Sequence, residues 1–203
     1  MDPRKPLTAS DLAEVAVARL AEEGRCVPPG DEQATASGRR FVAVRHRPPR
    51  ALIRPREIVV CLAPMRSQVN LSNIVRTAGC CGLTRLIACG SGRIDRTIAR
   101  DGAEQVEIEV HRTLVPVLRR LKGEGYTLVG LEQAEGAVSL HDYRFPRRTA
   151  LVIGNERLGL SDEELAWMDA VVEIPIWGRP HAYNVANAAA MALYEYCRQW
   201  PEG

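Results

Sequence analysis

The hydrophobic spacing of this chain changes character near residue 57. Before it, one segment has a helical period: between Ser10 and Glu23, residues Leu12, Val15, Ala16, Arg19 and Leu20 share a face, and Ser10 can cap the first turn. "CVPPGDEQATASG" then reads as a linker, and "RPPRALIRPR" as a proline-broken boundary near Arg56. Beyond it, short apolar runs alternate with helical patterns. "EIVVCLA" (57–63), "RLIACG" (85–90), "VEIEV" (106–110), "YTLVGLE" (126–132), "TALVIGNE" (149–156) and "AVVEIPI" (170–176) predict strands. Helices are predicted at 71–81 and 114–123. Another starts at "SDEELAWM", where Ser161 and Glu164 have capping-box spacing. A long terminal helix follows, with Val185, Ala188, Ala189, Ala192, Leu193 and Tyr196 on one stripe.

Strands alternating with helices predict an α/β fold, a mainly parallel sheet covered by helices on both faces. The expected organisation is an N-terminal helical and basic extension over 1–55 and a principal domain over 56–203. Ligands of such sheets bind beyond the carboxyl ends of the strands. Four polar or glycine-bearing loops follow predicted strands: "APMRSQVNLSNIVR", "ACGSGR", "GNERLGL" and "PIWGRPHAYNVAN". The loops at 88–90, 154–159 and 174–184 are expected to converge on one pocket. There is no G-x-G-x-x-G after a first strand, no G-x-x-x-x-G-K-[ST] and no Ser-centred nucleophile elbow, which argues against dinucleotide, P-loop and hydrolase sites.

Composition adds that the chain has a soluble globular profile, with 46% hydrophobic and 26% charged residues. Net charge is only +2, but between Arg39 and Arg56 seven arginines and His46 occur with no acid. Such a stretch suits a polyanion, or is a solvated basic linker. The six cysteines form no C-x-x-C and most sit in apolar runs, so reduced core thiols in a cytoplasmic protein are expected and a metal is not. No apolar run is long enough to span a bilayer.

Three stretches in order, "NLSNIVRTAG" (70–79), "LVIGNERLGLS" (151–161) and "IPIWGRPHAYNVANAAAMALYE" (174–195), together resemble the SpoU (TrmH-like) family of RNA 2′-O-ribose methyltransferases within the SPOUT class. The resemblance implies S-adenosylmethionine (AdoMet) as cofactor, tRNA or rRNA as partner, a homodimer, and a C-terminal trefoil knot in which the loop 174–184 wraps the cofactor. Matched to these motifs, the expected catalytic residues are Asn70, Arg76, Glu156 and Asn184. Arg76 can hold a phosphate and stabilise alkoxide charge. Asn70 is placed just before its helix, to cap or orient, and Glu156 to fix Arg76 or an RNA hydroxyl. The expected cofactor contacts are Ala88, Cys89, Gly90, Gly154, Asn155, Gly159, Ile174, Ile176, Tyr183 and Asn184. Arg45, Arg47, Arg50, Arg93, Arg96 and Arg100 are expected to contact RNA phosphates. The usual Ser-Leu-Asn-Val-Ser of the family reads Ala182, Tyr183, Asn184, Val185, Ala186 in this chain. That departure raises the alternative of a catalytically impaired RNA-binding protein on the same scaffold. His181, beside the first departure, is either a structural hydrogen-bonding group or a base.

Overall fold

The computed structural model describes residues 42–45 and 47–203; the helix expected at 10–23, the linker after it and His46 lie outside the described residues. The chain divides into two compact units, 1–50 and 51–203. Residues 42–45 and 47–50 of the first carry no helix or strand, and Arg45, Arg47 and Arg50 are exposed. The second unit begins at Ala51. The reason is local: the N–H groups of Ile53 and Arg54 donate to the Glu202 carbonyl at 2.9 and 3.4 Å, and Leu52 lies against Gly82.

In chain order the unit runs β1 (Val59–Leu62), α1 (Gln68–Cys80), β2 (Arg85–Cys89), α2 (Arg96–Ala99), α3 (Gly102–Gln105), β3 (Glu107–His111), α4 (Leu114–Gly123), β4 (Thr127–Leu131), β5 (Val138–Ser139), β6 (Thr149–Ile153), α5 (Asp162–Leu165), β7 (Ala170–Glu173) and α6 (Val185–Gln199). The seven strands form one sheet in the order β3-β2-β1-β6-β4-β7-β5, parallel throughout. Side chains alternate across it. Val60 and Leu62 face one cluster with Leu71, Ile74 and Val75 of α1 and Ala189, Ala192 and Leu193 of α6. Val59 and Cys61 face the other, with Leu114, Leu118 and Leu121 of α4. Burial on both faces is why β1, β2, β4 and β6 read as nearly unbroken apolar runs.

The helix ends follow from their caps. Ser67 Oγ accepts from Asn70 N–H at 3.2 Å, so α1 starts at Gln68 and Asn70 stands inside its first turn rather than before it. Both halves of the Ser161–Glu164 capping box form. Asn184 Oδ1 accepts from Ala186 N–H at 2.9 Å and begins α6. Small residues on the buried side of α6 let it pack closely against α1. Its last turn is tied to the segment before β6: Tyr196 Oη donates to Arg147 O at 2.6 Å, Gln199 Nε2 to Tyr143 O at 2.8 Å, and Trp200 Nε1 to Phe145 O at 3.0 Å. The one-turn helices α2 and α3 and the two-residue β5 are additions to the expected elements, too short to carry a period.

Candidate active site

A cavity of about 250 Å³ opens where β4, β6 and β7 end. Those three strands are neighbours in the sheet, so their exits meet. Its wall comes from Leu131–Gln133 after β4, from 153–157 and Gly159 after β6, and from Ile174, Ile176, Ala182 and Tyr183 after β7. Gly154, Asn155, Gly159, Ile174, Ile176 and Tyr183 therefore come together as the sequence predicts. Ala88, Cys89 and Gly90 do not. Strand β1 stands between β2 and β6, Ala88 and Cys89 are buried in the core, and Gly90 closes against Pro64. The third loop of the cavity is instead the exit of β4, which sequence order alone does not place next to β6.

The turn 154–160 is compact. Asn155 and Gly159 exchange both main-chain hydrogen bonds, at 3.0 and 2.9 Å. A Cβ on Gly154 would collide with the backbone of Gly159 and Leu160. Gly159 has φ of 66°, a left-handed conformation that glycine adopts without strain. Asn155 Nδ2 donates to Pro64 O at 2.6 Å, and its Oδ1 accepts from Arg157 N–H at 3.0 Å.

Glu156 leaves this turn toward α1. Its carboxylate accepts from the N–H groups of Arg66 (3.2 Å) and Ser67 (3.0 Å) and from Asn70 Nδ2 (3.3 Å). Asn70 Oδ1 in turn accepts from Asn184 Nδ2 at 3.1 Å. The motifs of 70, 156 and 184, far apart in sequence, thus meet in one hydrogen-bonded chain at the cavity's edge. Partial burial pushes the Glu156 carboxyl up, but the N–H donors of Ser67, its own residue and Arg66, with the Asn70 amide, outweigh it and hold the group below the ordinary carboxylate range.

Arg76 is not part of this chain. It is exposed on α1, six residues past Asn70 and so about 9 Å farther along the helix axis. Glu156 is engaged by Arg66, Ser67 and Asn70 rather than by Arg76, the first of the two partners the resemblance offered it. His181 gives its main-chain carbonyl to Gln133 Nε2 at 3.2 Å. Arg93, Arg96 and Arg100 are exposed after β2. Arg93 lines a second cavity of about 190 Å³ together with Arg66, a residue the sequence reading did not single out. Among the described residues no group of three or more His, Cys, Asp or Glu could hold a metal ion, and no helix is long and apolar enough to cross a membrane.

A parallel sheet with glycine-bearing loops gathered at the carboxyl ends of adjacent strands defines a ligand-binding α/β scaffold. Within that class the chain belongs to the SpoU rRNA Methylase family, which matches residues 57–194. It is 32% identical over 146 residues to the tRNA (guanosine(18)-2′-O)-methyltransferase of Escherichia coli (strain K12), an alignment covering 70% of this chain and 64% of that enzyme. The chain therefore spans less than two thirds of that relative's length. The A. aeolicus TrmH/SpoU tRNA modifying enzyme superposes with a TM-score of 0.68 and 28% identity, over 73% of this chain and 78% of that one. The SpoU methyltransferase AviRb from Streptomyces viridochromogenes, solved in complex with AdoMet, superposes with a TM-score of 0.64 and 27% identity, over 74% and 63% of the two chains.

Proposed function

We propose that this chain is an AdoMet-dependent methyltransferase acting on a ribose 2′-hydroxyl of tRNA or rRNA. The observation that carries the reading is the Asn184–Asn70–Glu156 hydrogen-bonded chain at the edge of the cavity formed by the exits of β4, β6 and β7. The cavity suits the cofactor. Leu131, Ile153, Ile174 and Ile176 offer apolar surface, Gly154 and Gly159 allow backbone approach, and Glu132, Glu156 and Glu173 against Arg157 favour a cationic ligand. AdoMet would supply the electrophilic methyl group. The chain's own residues do the rest: Asn70 and Asn184 present oriented amides to the substrate, and Glu156 holds Asn70. Arg76 supplies a guanidinium for a phosphate beside the target ribose and for developing alkoxide charge.

Arg45, Arg47, Arg50, Arg93, Arg96 and Arg100 belong to the same proposal as phosphate contacts. They position RNA without reading its sequence. A homodimer and a knot, implied by the resemblance, and a cytoplasmic location, expected from the reduced cysteines, complete it. Nothing in the structure or among the relatives favours the impaired alternative. The N–H of Ala186 is satisfied by Asn184, so α6 begins properly without the family serine.

The test is calorimetry with AdoMet, followed by transfer of tritium from labelled AdoMet to bulk tRNA and rRNA. Alkali-resistant dinucleotides then identify the 2′-O product. AdoMet binding with label in such a dinucleotide is the expected outcome. Binding without transfer to either RNA would return the impaired scaffold, and absence of AdoMet binding would overturn the proposal.

A further inference from the structure

The exit of β4 contributes two side chains that tie the other two cavity loops to the sheet. Glu132 is fixed at its main chain, where its N–H donates to Val172 O of β7 at 3.1 Å. Its carboxylate turns into the cavity wall. One oxygen accepts from Leu160 N–H at 2.9 Å, the other from Gln133 N–H at 3.0 Å. The same carboxylate lies where a Cβ on Gly159 would be, so it props the left-handed residue that closes the 154–160 turn. The next side chain serves the other loop: Gln133 Nε2 donates to His181 O at 3.2 Å. Two consecutive residues thus reach, respectively, the loop after β6 and the loop after β7.

We infer that Glu132 and Gln133 are positioning residues for the methyl donor, a joint that holds the 154–160 turn and the 174–184 loop at the separation a bound AdoMet needs. The inference rests on the cofactor reading above. Neither side chain needs to touch the reacting atoms. Glu132 acts through Gly159 and Leu160, and Gln133 through His181. A loop with an unmade acceptor samples other arrangements, and the competent fraction sets the apparent affinity.

The full chain is tested with AdoMet by calorimetry and with bulk tRNA by steady-state transfer. Glu132→Ala leaves two N–H groups without acceptors. It is expected to weaken AdoMet about tenfold to a hundredfold, with KM for RNA unchanged. Glu132→Gln keeps the shape and one carbonyl for Leu160, and should lose about threefold. Gln133→Ala frees only the later loop and should also lose about threefold. Because Glu132 works through Gly159, Glu132→Ala/Gly159→Ala should bind no more weakly than the weaker single variant. Amide exchange at Leu160, read without AdoMet, should accelerate strongly in Glu132→Ala and less in Glu132→Gln, whose neutral carbonyl is a weaker acceptor than the carboxylate.

Parental AdoMet affinity in Glu132→Ala, fully additive losses in the double variant, or unchanged exchange at Leu160 would each overturn the inference while leaving the cofactor reading standing. If the parent chain itself fails to bind AdoMet, both fall. Should Glu132→Ala not fold, Glu132→Gln and the exchange measurement decide.

Discussion

At Asn184 the two ends of one amide do different things: Oδ1 caps α6 through Ala186 N–H, and Nδ2 donates to Asn70. Substitutions can separate them. Asn184→Ala removes the cap and is expected to cost about 1 kcal/mol of stability along with activity. Asn184→Asp keeps an acceptor for Ala186 but has no donor for Asn70. If Asn70 flips its amide to donate to the introduced carboxylate, its oxygen then faces the Glu156 carboxylate, so one contact is lost either way. Asn184→Asp should therefore melt close to the parent in calorimetry yet lose methyl transfer about tenfold or more, because the contact that orients Asn70 is broken. A lowered melting temperature in Asn184→Ala, with parental melting and parental methyl transfer in Asn184→Asp, would show that the side chain matters only as a cap. Arg76→Ala should lower kcat by about 10²–10³ while AdoMet binding persists. Arg76→Lys should recover little, because an ammonium lacks the planar fork of donors. Single-turnover assays with titration of AdoMet separate this from a fold defect.

Among elements, what was legible in the sequence depended on length and on neighbours. Strands β1, β2, β4 and β6 announced themselves because both of their faces are buried, and α5 through its Ser161–Glu164 box. The start of α1 was not legible: its apolar stripe begins at Leu71, while the turn that Ser67 caps faces the Glu156 bracket with polar residues. Asn70, Glu156 and Asn184 were readable from motifs. Glu132 and Gln133 were not, since their relevance comes from β4 lying between β6 and β7. The same strand order removed Ala88–Gly90 from the cavity. At the sheet's edge, Glu109 of β3 pairs with Arg85 of β2 and Arg120 of α4. The Arg85 guanidinium first, then Arg120 and His111, outweigh its burial and bring the carboxyl from 4.5 to about 2. A depressed carboxyl stabilises the fold above its unfolded value and loses that contribution as pH falls through the folded one. Glu109→Gln should therefore cost up to about 1 kcal/mol at pH 7, as a partly exposed network does. The difference from the parent should shrink between pH 4.5 and about 2 in urea titrations.

For the whole molecule, the two ends of the 51–203 unit hold each other. Arg56 donates to the carbonyls of Cys81 and Trp200, both at 2.6 Å, while Ile53 and Arg54 donate to Glu202. Tyr196 is fully buried with its hydroxyl on Arg147 O. Tyr196→Phe leaves that carbonyl unmatched and should cost about 1–3 kcal/mol in thermal melts, with no change in AdoMet affinity. A ribosome makes α6 well after β6, yet among the described residues the carbonyls of Tyr143, Phe145 and Arg147 find their partners on that helix and the residue after it. The stretch leading into β6 is therefore translated with its main-chain acceptors unclaimed, and β6 is the strand that joins β1 to β4 in the sheet. A nascent chain of this protein cannot settle in the order it is spoken. It must wait for α6 before its middle can close.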